Sequence, residues 1–220
     1  MLKAIEKELD YTLIETAGAL KAFCTENQTA EWLAVDTEFI GERRFDVLLC
    51  LIQVASPHGF YLIDPLCVRD LTPFLSLLEN PNILKITHAG ENDYRLLNAH
   101  FGTIPQNVFD TQVAAGFVGH GYPASYGKLV EKEVGALIDK GYAATDWEAR
   151  PLKKKQLDYA LSDVTHLYEL YEKLHDKLLA VNRLSWAKAE SGRWETAEYY
   201  DRDPNREALM NTMMQTLRPH

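Results

Sequence analysis

The protein has 220 residues, of which 46% are hydrophobic and 25% are charged. These proportions are ordinary for a globular protein and exclude disorder, collagen-like repeats and low-complexity architecture. Its 23 basic and 32 acidic residues give a net charge of −9, which argues against a broad Lys- and Arg-rich surface that grips duplex nucleic acid. The longest uncharged apolar runs are too short to span a bilayer, and the charged N-terminal segment has no apolar signal core. We therefore expect a cytoplasmic protein that does not bind membranes.

The first part of the chain predicts a strand, a helix and an antiparallel sheet. Residues 11–16 have the composition of a short strand, and Thr16 is placed to cap a helix that begins at Ala17. Three runs rich in β-branched, aromatic or leucine residues follow, at 32–39, 47–55 and 59–63. Because only a short turn separates the last two runs, we predict a three-stranded antiparallel meander.

The rest of the chain alternates helices with strands. Helical spacing is found at 71–78, 91–101, 110–117 and 125–134, and a strand is predicted at 83–87. The strongest helical signal is one apolar stripe that extends from about Lys155 to Ala180. A meander followed by alternating elements predicts an α/β fold, with a mixed sheet covered by helices.

The segment after Arg183 carries two tryptophans, Trp186 and Trp194, eight residues apart. This spacing predicts that both rings lie on one face of a terminal helix. Such a helix either packs against the domain or offers a docking surface for a partner.

Two acidic residues stand on the first strand of the predicted meander. Because alternate residues of a strand share a face, Asp36 and Glu38 are expected to project side by side. Adjacent buried carboxylates repel each other and lose hydration, and a divalent cation between them removes both costs. The alternative is a strand that ends early and leaves both acids in solvent.

Further carboxylates follow in two other elements. Tyr159 and Asp163 are four residues apart, so they share one face of the predicted long helix. Asp93 follows a strand end and a glycine turn, a place where ligands collect in α/β folds. The alternatives are an exposed or salt-bridged Asp163, and an Asp93 that only interacts with the helix dipole.

With Asp36 and Glu38 these acids make four carboxylates, and the sequence has no histidine or cysteine spacing typical of zinc. An all-oxygen ligand set suits Mg²⁺ or Mn²⁺. Several carboxylates that converge from separate elements suit a pair of such ions, an arrangement used in phosphoryl transfer.

These motifs resemble the DEDD superfamily of 3′–5′ exonucleases, in particular its tyrosine-bearing group (DEDDy), and most closely the catalytic domain of bacterial ribonuclease D. The matching motifs are DTEF at 36–39, HAGEND at 88–93 and YALSD at 159–163. Supporting stretches lie at 51–54, 109–112 and 145–152. The resemblance covers about residues 11–200 and implies the ribonuclease H-like 3′–5′ exonuclease fold.

The resemblance also implies a mechanism. Asp36, Glu38, Asp93 and Asp163 are expected to hold two divalent ions, Mg²⁺ or Mn²⁺, and Tyr159 is expected to orient the attacking water. The implied activity is hydrolysis of single-stranded RNA from its 3′ end to nucleoside 5′-monophosphates, in RNA processing or decay. The alternatives are a DNA exonuclease of the same fold and a non-catalytic scaffold that binds nucleic acid.

Substrate contacts are expected around the same motifs. The candidates are Thr37, Phe39, His88, Asn92, Arg150 and Lys153. Phe39 could stack on a terminal base, and the alternative is a phenylalanine of the core. For His88, the alternative to a substrate contact is a histidine whose hydrogen bonds are satisfied in the core. Residues 140–156 hold five basic side chains against two acidic ones and are expected to steer phosphates, as are Arg43 and Arg44.

The domain prediction is a catalytic domain over residues 1–182 and a helical extension over 183–220. Ribonuclease D proper has helical nucleic-acid-binding domains, of the HRDC type, after its catalytic domain. The 220 residues leave no room for them. We therefore expect either a stand-alone exonuclease or an excised catalytic domain.

Overall fold

A computed structural model describes residues 10–41, 47–138 and 145–201. The strands are β1 (Tyr11–Ile14), β2 (Trp32–Ile40), β3 (Leu48–Ser56), β4 (Gly59–Ile63), β5 (Leu84–Thr87) and β6 (Val108–Asp110). The helices are α1 (Ala17–Asn27), α2 (Thr72–Leu78), α3 (Glu91–Phe101), α4 (Thr111–Phe117), α5 (Tyr126–Glu133), α6 (Lys154–Thr165), α7 (Leu167–Ala180), α8 (Leu184–Ser191) and α9 (Ala197–Asp201). A 3₁₀ turn at Gly192–Glu195 separates the last two helices.

The six strands form one mixed sheet in the order β1–β4–β3–β2–β5–β6. The predicted meander is confirmed, because β2, β3 and β4 pair antiparallel. The other strands join the sheet in parallel pairs, β1 beside β4, β5 beside β2 and β6 beside β5. Strand β6 was not predicted, since three residues are too few for an alternating pattern to show.

Helices cover both faces of the sheet, as predicted. On β2, Leu33 belongs to one buried cluster with Phe23 of α1, whereas Ala34 belongs to another with Val164 of α6. Side chains alternate along a strand, so Asp36 and Glu38 emerge on the same face as Ala34. The register of the sheet therefore directs both acids toward α6.

The predicted long helix is wrong in one respect, because it is two helices. α6 ends at Thr165 and α7 begins at Leu167, with His166 between them in a non-helical conformation. The backbone N–H of His166 donates to the Tyr126 hydroxyl at 3.3 Å. Apolar spacing continues on both sides of the break, so the sequence pattern does not reveal it. Within the described ranges, no helix is both long and apolar enough to cross a membrane.

The predicted shared face of Trp186 and Trp194 is also wrong. Trp186 lies on α8 and is 57% exposed, whereas Trp194 lies on the 3₁₀ turn and is 5% exposed. Helix α8 ends at Ser191, before the eight-residue spacing is complete. Trp194 and Tyr200 belong to the main core cluster. The domain boundary after residue 182 stays a prediction.

Candidate active site

Three acidic side chains converge between β2 and α6. Asp36 and Glu38 lie two residues apart on β2, and Asp163 lies on α6, which packs against β2, β3 and β4. One carboxylate oxygen from each acid lies within 4.8 Å of the other two. The pairing of β2 with β3 is irregular just after Glu38, and such bulges often redirect side chains beside active sites. All three side chains are half-buried, so the strand does not end early in solvent.

Asp93 adjoins this group from α3 but is not one of the three clustered acids. It acts electrostatically on both Asp36 and Glu38. One of its carboxylate oxygens accepts a hydrogen bond from the hydroxyl of Thr37, which faces away from α6 on β2. Thr37, predicted to contact substrate, therefore ties Asp93 to the strand that carries the other acids.

The turn before α3 is held by buried hydrogen bonds. A Cβ at Gly90 would lie 2.3 Å from the Thr87 hydroxyl oxygen, so a larger residue would force Thr87 to move. The Gly90 backbone N–H donates to Asp110, whose other carboxylate oxygen caps α4. This close packing fixes the start of α3, and with it the position of Asp93.

His88 is half-buried, and both of its ring nitrogens lie within hydrogen-bond distance of other parts of the protein. Its Nδ1 is 2.9 Å from the Thr111 hydroxyl, and its Nε2 is 3.0 Å from the Ala124 carbonyl oxygen. Burial lowers the pKa of His88 to about 4, although the Ala124 contact opposes this. Both ring nitrogens are occupied, which favours the core histidine over the substrate contact.

Burial raises the pKa of all four acids, and their mutual repulsion adds to it at Asp36 and Glu38. The pKa of Glu38 is raised to about 8, that of Asp163 to about 7 and that of Asp93 to about 6. At Asp36, burial and the three neighbouring carboxylates raise the pKa well above its usual range. The cluster therefore retains protons near neutral pH unless positive charge enters it.

Two tyrosine rings flank the acids. Tyr159 lies one helical turn before Asp163; burial and the charges of Asp163, Glu38 and Asp36 raise its pKa. Its hydroxyl therefore stays protonated near neutral pH and can donate a hydrogen bond. Tyr126, at the start of α5, was missed by the sequence reasoning. Burial and the charges of Asp163 and Asp36 raise its pKa too. No spacing in the sequence links it to these acids.

The remaining candidate substrate contacts fall into two groups. Phe39 is half-buried and packs against the main core cluster, whereas Asn92 is exposed in the first turn of α3. Lys153 is exposed just before α6. Arg43, Arg44 and Lys140 lie outside the described residues.

Arg150 is held by the protein itself. Its Nε lies 2.5 Å from Oδ2 of the buried Asp64, and one of its terminal nitrogens donates to Asp64 Oδ1 at 2.9 Å. It also donates to the carbonyl oxygens of Cys50 and Trp147, each at 2.7 Å. These bonds anchor the segment before α6 to β3 and to Asp64, which directly follows β4. They favour a structural role for Arg150 over phosphate steering.

The acids fit a divalent metal centre. They supply only oxygen ligands, and in the described part of the chain none of them pairs with Lys, Arg or His. Buried carboxylates without a positive partner are costly. A hard cation such as Mg²⁺ or Mn²⁺ would offset the repulsion that raises their pKa values.

The fold and the acids define a class of protein: a ribonuclease H-like α/β domain with a carboxylate centre suited to metal-assisted cleavage of phosphodiesters. Residues 11–179 match the 3′–5′ exonuclease family, to which this chain belongs. The family depends on divalent metal ions.

Individual relatives are similar to the chain in sequence and in structure. The chain is 42% identical over 191 residues to Ribonuclease D of Shewanella sp. (strain ANA-3), covering 86% of this chain and 49% of the relative. Escherichia coli RNase D, described as an exoribonuclease involved in structured RNA processing, superposes with a TM-score of 0.81 at 34% identity, over 86% of this chain and 52% of that one. Brucella melitensis NrnC bound to pGG superposes with a TM-score of 0.72 at 26% identity. This match covers 88% of the present chain and 91% of NrnC. The chain spans about half the length of the curated relatives it matches.

Proposed function

We propose that this protein is a metal-dependent 3′–5′ exoribonuclease. The observation that carries the proposal is the convergence of Asp36, Glu38 and Asp163 within 4.8 Å, with Asp93 adjoining them. Family membership supports the reaction class, and the ribonuclease D relatives support RNA as the substrate.

Each side chain has a role in this proposal. Asp36, Glu38, Asp93 and Asp163 hold two ions, Mg²⁺ or Mn²⁺. When bound, such a pair supplies the positive charge that activates water and stabilises the leaving oxygen. The Tyr159 hydroxyl, which is protonated at neutral pH, orients that water by donating or accepting a hydrogen bond. The exposed Lys153 attracts the phosphates of the single-stranded RNA substrate.

The substrate in this proposal is the 3′ end of single-stranded RNA. A protein with a net charge of −9 is suited to gripping a few nucleotides rather than a long duplex. NrnC, which this chain matches over most of its length, was solved with pGG bound. That likeness supports very short RNA as one substrate to include in any test.

The testing experiment is a time course on 5′-labelled single strands of RNA and DNA with one sequence, with Mn²⁺ and with chelator. We expect a one-nucleotide ladder on RNA that is absent in chelator and in Asp163→Asn. A ladder mainly on DNA would retain the site and reject RNA as the substrate. No ladder on either strand, from a protein that binds Mn²⁺, would favour a nucleic-acid-binding scaffold.

A further inference from the structure

A buried glutamine on β3 has no partner within the described structure. Gln53 is 0% exposed, and neither its side-chain nitrogen nor its side-chain oxygen has a hydrogen-bond partner there. Leaving a buried amide unpaired is destabilising, because its polar groups lose their hydrogen bonds to water and gain none in return. A shape-matched apolar side chain would avoid this cost, so the amide at this position calls for an explanation.

Gln53 lies directly beside an active-site acid. In the antiparallel pairing of β2 with β3, Gln53 is the residue opposite Asp36. Residues opposite each other point to the same face, with Cβ atoms about 5 Å apart. On the other side, Gln53 is opposite Leu62 of β4, and α6 covers this face of all three strands. Leu62 is apolar, so Asp36 is the polar cross-strand neighbour of the amide.

The carboxylate of Asp36, in turn, lacks a hydrogen-bond donor from a side chain of the described residues. Its carboxylate receives a hydrogen bond from the Thr37 backbone N–H. The neighbouring carboxylates of Asp93, Asp163 and Glu38 repel it. A donor without an acceptor and an acceptor without a side-chain donor therefore occupy neighbouring positions on one face of the sheet.

We infer that Gln53 is a positioning residue of the metal site, whose side-chain N–H donates to the Asp36 carboxylate when that carboxylate holds the divalent ions. This inference rests on the proposed function. A carboxylate that serves two ions must keep a fixed orientation, and a hydrogen bond from outside the ligand set supplies it. The amide is neutral, so it orients Asp36 without competing with the ions for charge.

The test replaces Gln53 with an apolar side chain of similar length. In Gln53→Met we expect unfolding in chelator at the same temperature as the wild type or higher, because a buried unpaired amide is removed. Calorimetric titration with Mn²⁺ should show the dissociation constant raised about tenfold or more, as for other residues that orient metal ligands. Metal affinity would then fall without any loss of stability in the metal-free protein, which a purely structural glutamine would not produce.

Asn27→Leu is the matched control, because Asn27 is also fully buried with an unpaired side-chain oxygen but lies on α1. It should leave the Mn²⁺ affinity unchanged. Equal Mn²⁺ affinities in the wild type and Gln53→Met would overturn this inference alone. A wild type that binds neither Mn²⁺ nor Mg²⁺ would overturn the proposed metal site and the inference with it.

A second measurement does not depend on how the variant folds. In ¹⁵N-labelled wild type, the side-chain amide signals of Gln53 should move on addition of Mg²⁺, with one proton shifting downfield as it becomes hydrogen-bonded. Amide signals that stay in place while the signals of Asp36 and Asp163 move would reject the contact.

Discussion

Asp163 is unfavourable for the stability of the metal-free protein, yet its position suits metal binding. It is a half-buried acid on α6, in a group whose members repel one another, and burial raises its pKa to about 7. The same position places one of its carboxylate oxygens within 4.8 Å of a carboxylate oxygen of Asp36 and of Glu38, so that one metal ion could contact all three. Its replacement by a neutral isostere therefore separates the two effects.

We expect Asp163→Asn to lower the exonuclease rate more than about 100-fold, since a metal ligand is lost. Its melting temperature in chelator should equal or exceed that of the wild type, because one repelling carboxyl is gone. Rate assays with Mn²⁺ and thermal unfolding in chelator measure the two quantities. Near-normal turnover in this variant would show that the metal site is assigned wrongly.

Stability of the metal-free protein should depend on pH in a defined window. The folded-state pKa values of Glu38 (about 8) and Asp163 (about 7) exceed the usual 4.5 and 3.8, so the folded protein binds more protons than the unfolded chain between those limits. The free energy of unfolding therefore falls as the pH rises. His88 and Lys85, whose pKa values are lowered to about 4 and about 8, oppose this trend at the lower and upper ends of the window from pH 6.5 to 8, so the comparison with a Glu38 variant is needed to isolate the acid.

In chelator we expect the melting temperature to drop by about 4 °C or more between pH 6.5 and 8. Glu38→Gln should show a clearly smaller drop. Mn²⁺ affinity should rise over the same window, because binding displaces protons. Identical pH slopes for the wild type and Glu38→Gln would contradict this assignment of the titrating group.

At the scale of elements, the segment before α6 is anchored from outside the helix. Burial would raise the pKa of Asp64, but the hydrogen bonds and charge of Arg150 lower it. The same arginine binds backbone oxygens of β3 and of the segment itself. This anchor sets where α6 begins, and hence where Tyr159 and Asp163 lie over the sheet.

Removing Arg150 should therefore act mainly on stability. We expect Arg150→Met to lower the free energy of unfolding by about 3–5 kcal/mol, because a buried carboxylate loses its partner. The double variant with Asp64→Asn should recover part of the loss. Urea unfolding of the three variants measures this. A change in RNA KM with no change in stability would instead assign Arg150 to phosphate binding.

Lys153 offers the contrasting case three residues along. It is exposed, so we expect Lys153→Ala to change the free energy of unfolding by less than about 0.5 kcal/mol. The KM for RNA should rise, and the difference from the wild type should shrink at high salt. Steady-state assays at two ionic strengths measure this, and a KM that is equal at both would remove Lys153 from the substrate path.

At the scale of the whole molecule, residues 184–201 complete the core rather than standing apart from it. Tyr199 stacks under Arg95 of α3, with the guanidinium carbon 4.8 Å from the ring centre, and its hydroxyl donates to Glu91. Trp194 lies beside Tyr94, with ring centres 5.8 Å apart. The described part of the extension therefore packs on α3, the helix that carries Asp93.

We expect replacement of the two tryptophans to have different effects on stability. Trp194→Ala should lower the free energy of unfolding by about 3–5 kcal/mol, whereas Trp186→Ala, which alters an exposed ring, should change it little. A chain that ends at residue 182 should not unfold cooperatively, since it lacks both Trp194 and Tyr200. Denaturant unfolding and circular dichroism measure these effects. A truncated chain as stable as the full one would confirm the predicted domain boundary.

The motifs that carry the candidate site and most of the architecture could be predicted from the sequence alone. Alternation along a strand and four-residue spacing along a helix are local properties, so Asp36 with Glu38, and Tyr159 with Asp163, could be placed on shared faces from the sequence. The meander and most helices followed from the same two periods, and the spacing of the motifs connected them to the exonuclease family.

The tertiary structure alone decided which partner each polar side chain has. His88 bonds to Thr111 and Ala124, and Arg150 bonds to Asp64, although nothing in their local sequence names those residues. The break at His166 is likewise invisible in the apolar stripe around it. Periodicity fixes the direction in which a side chain leaves its own element, whereas its partner depends on how distant elements pack against one another.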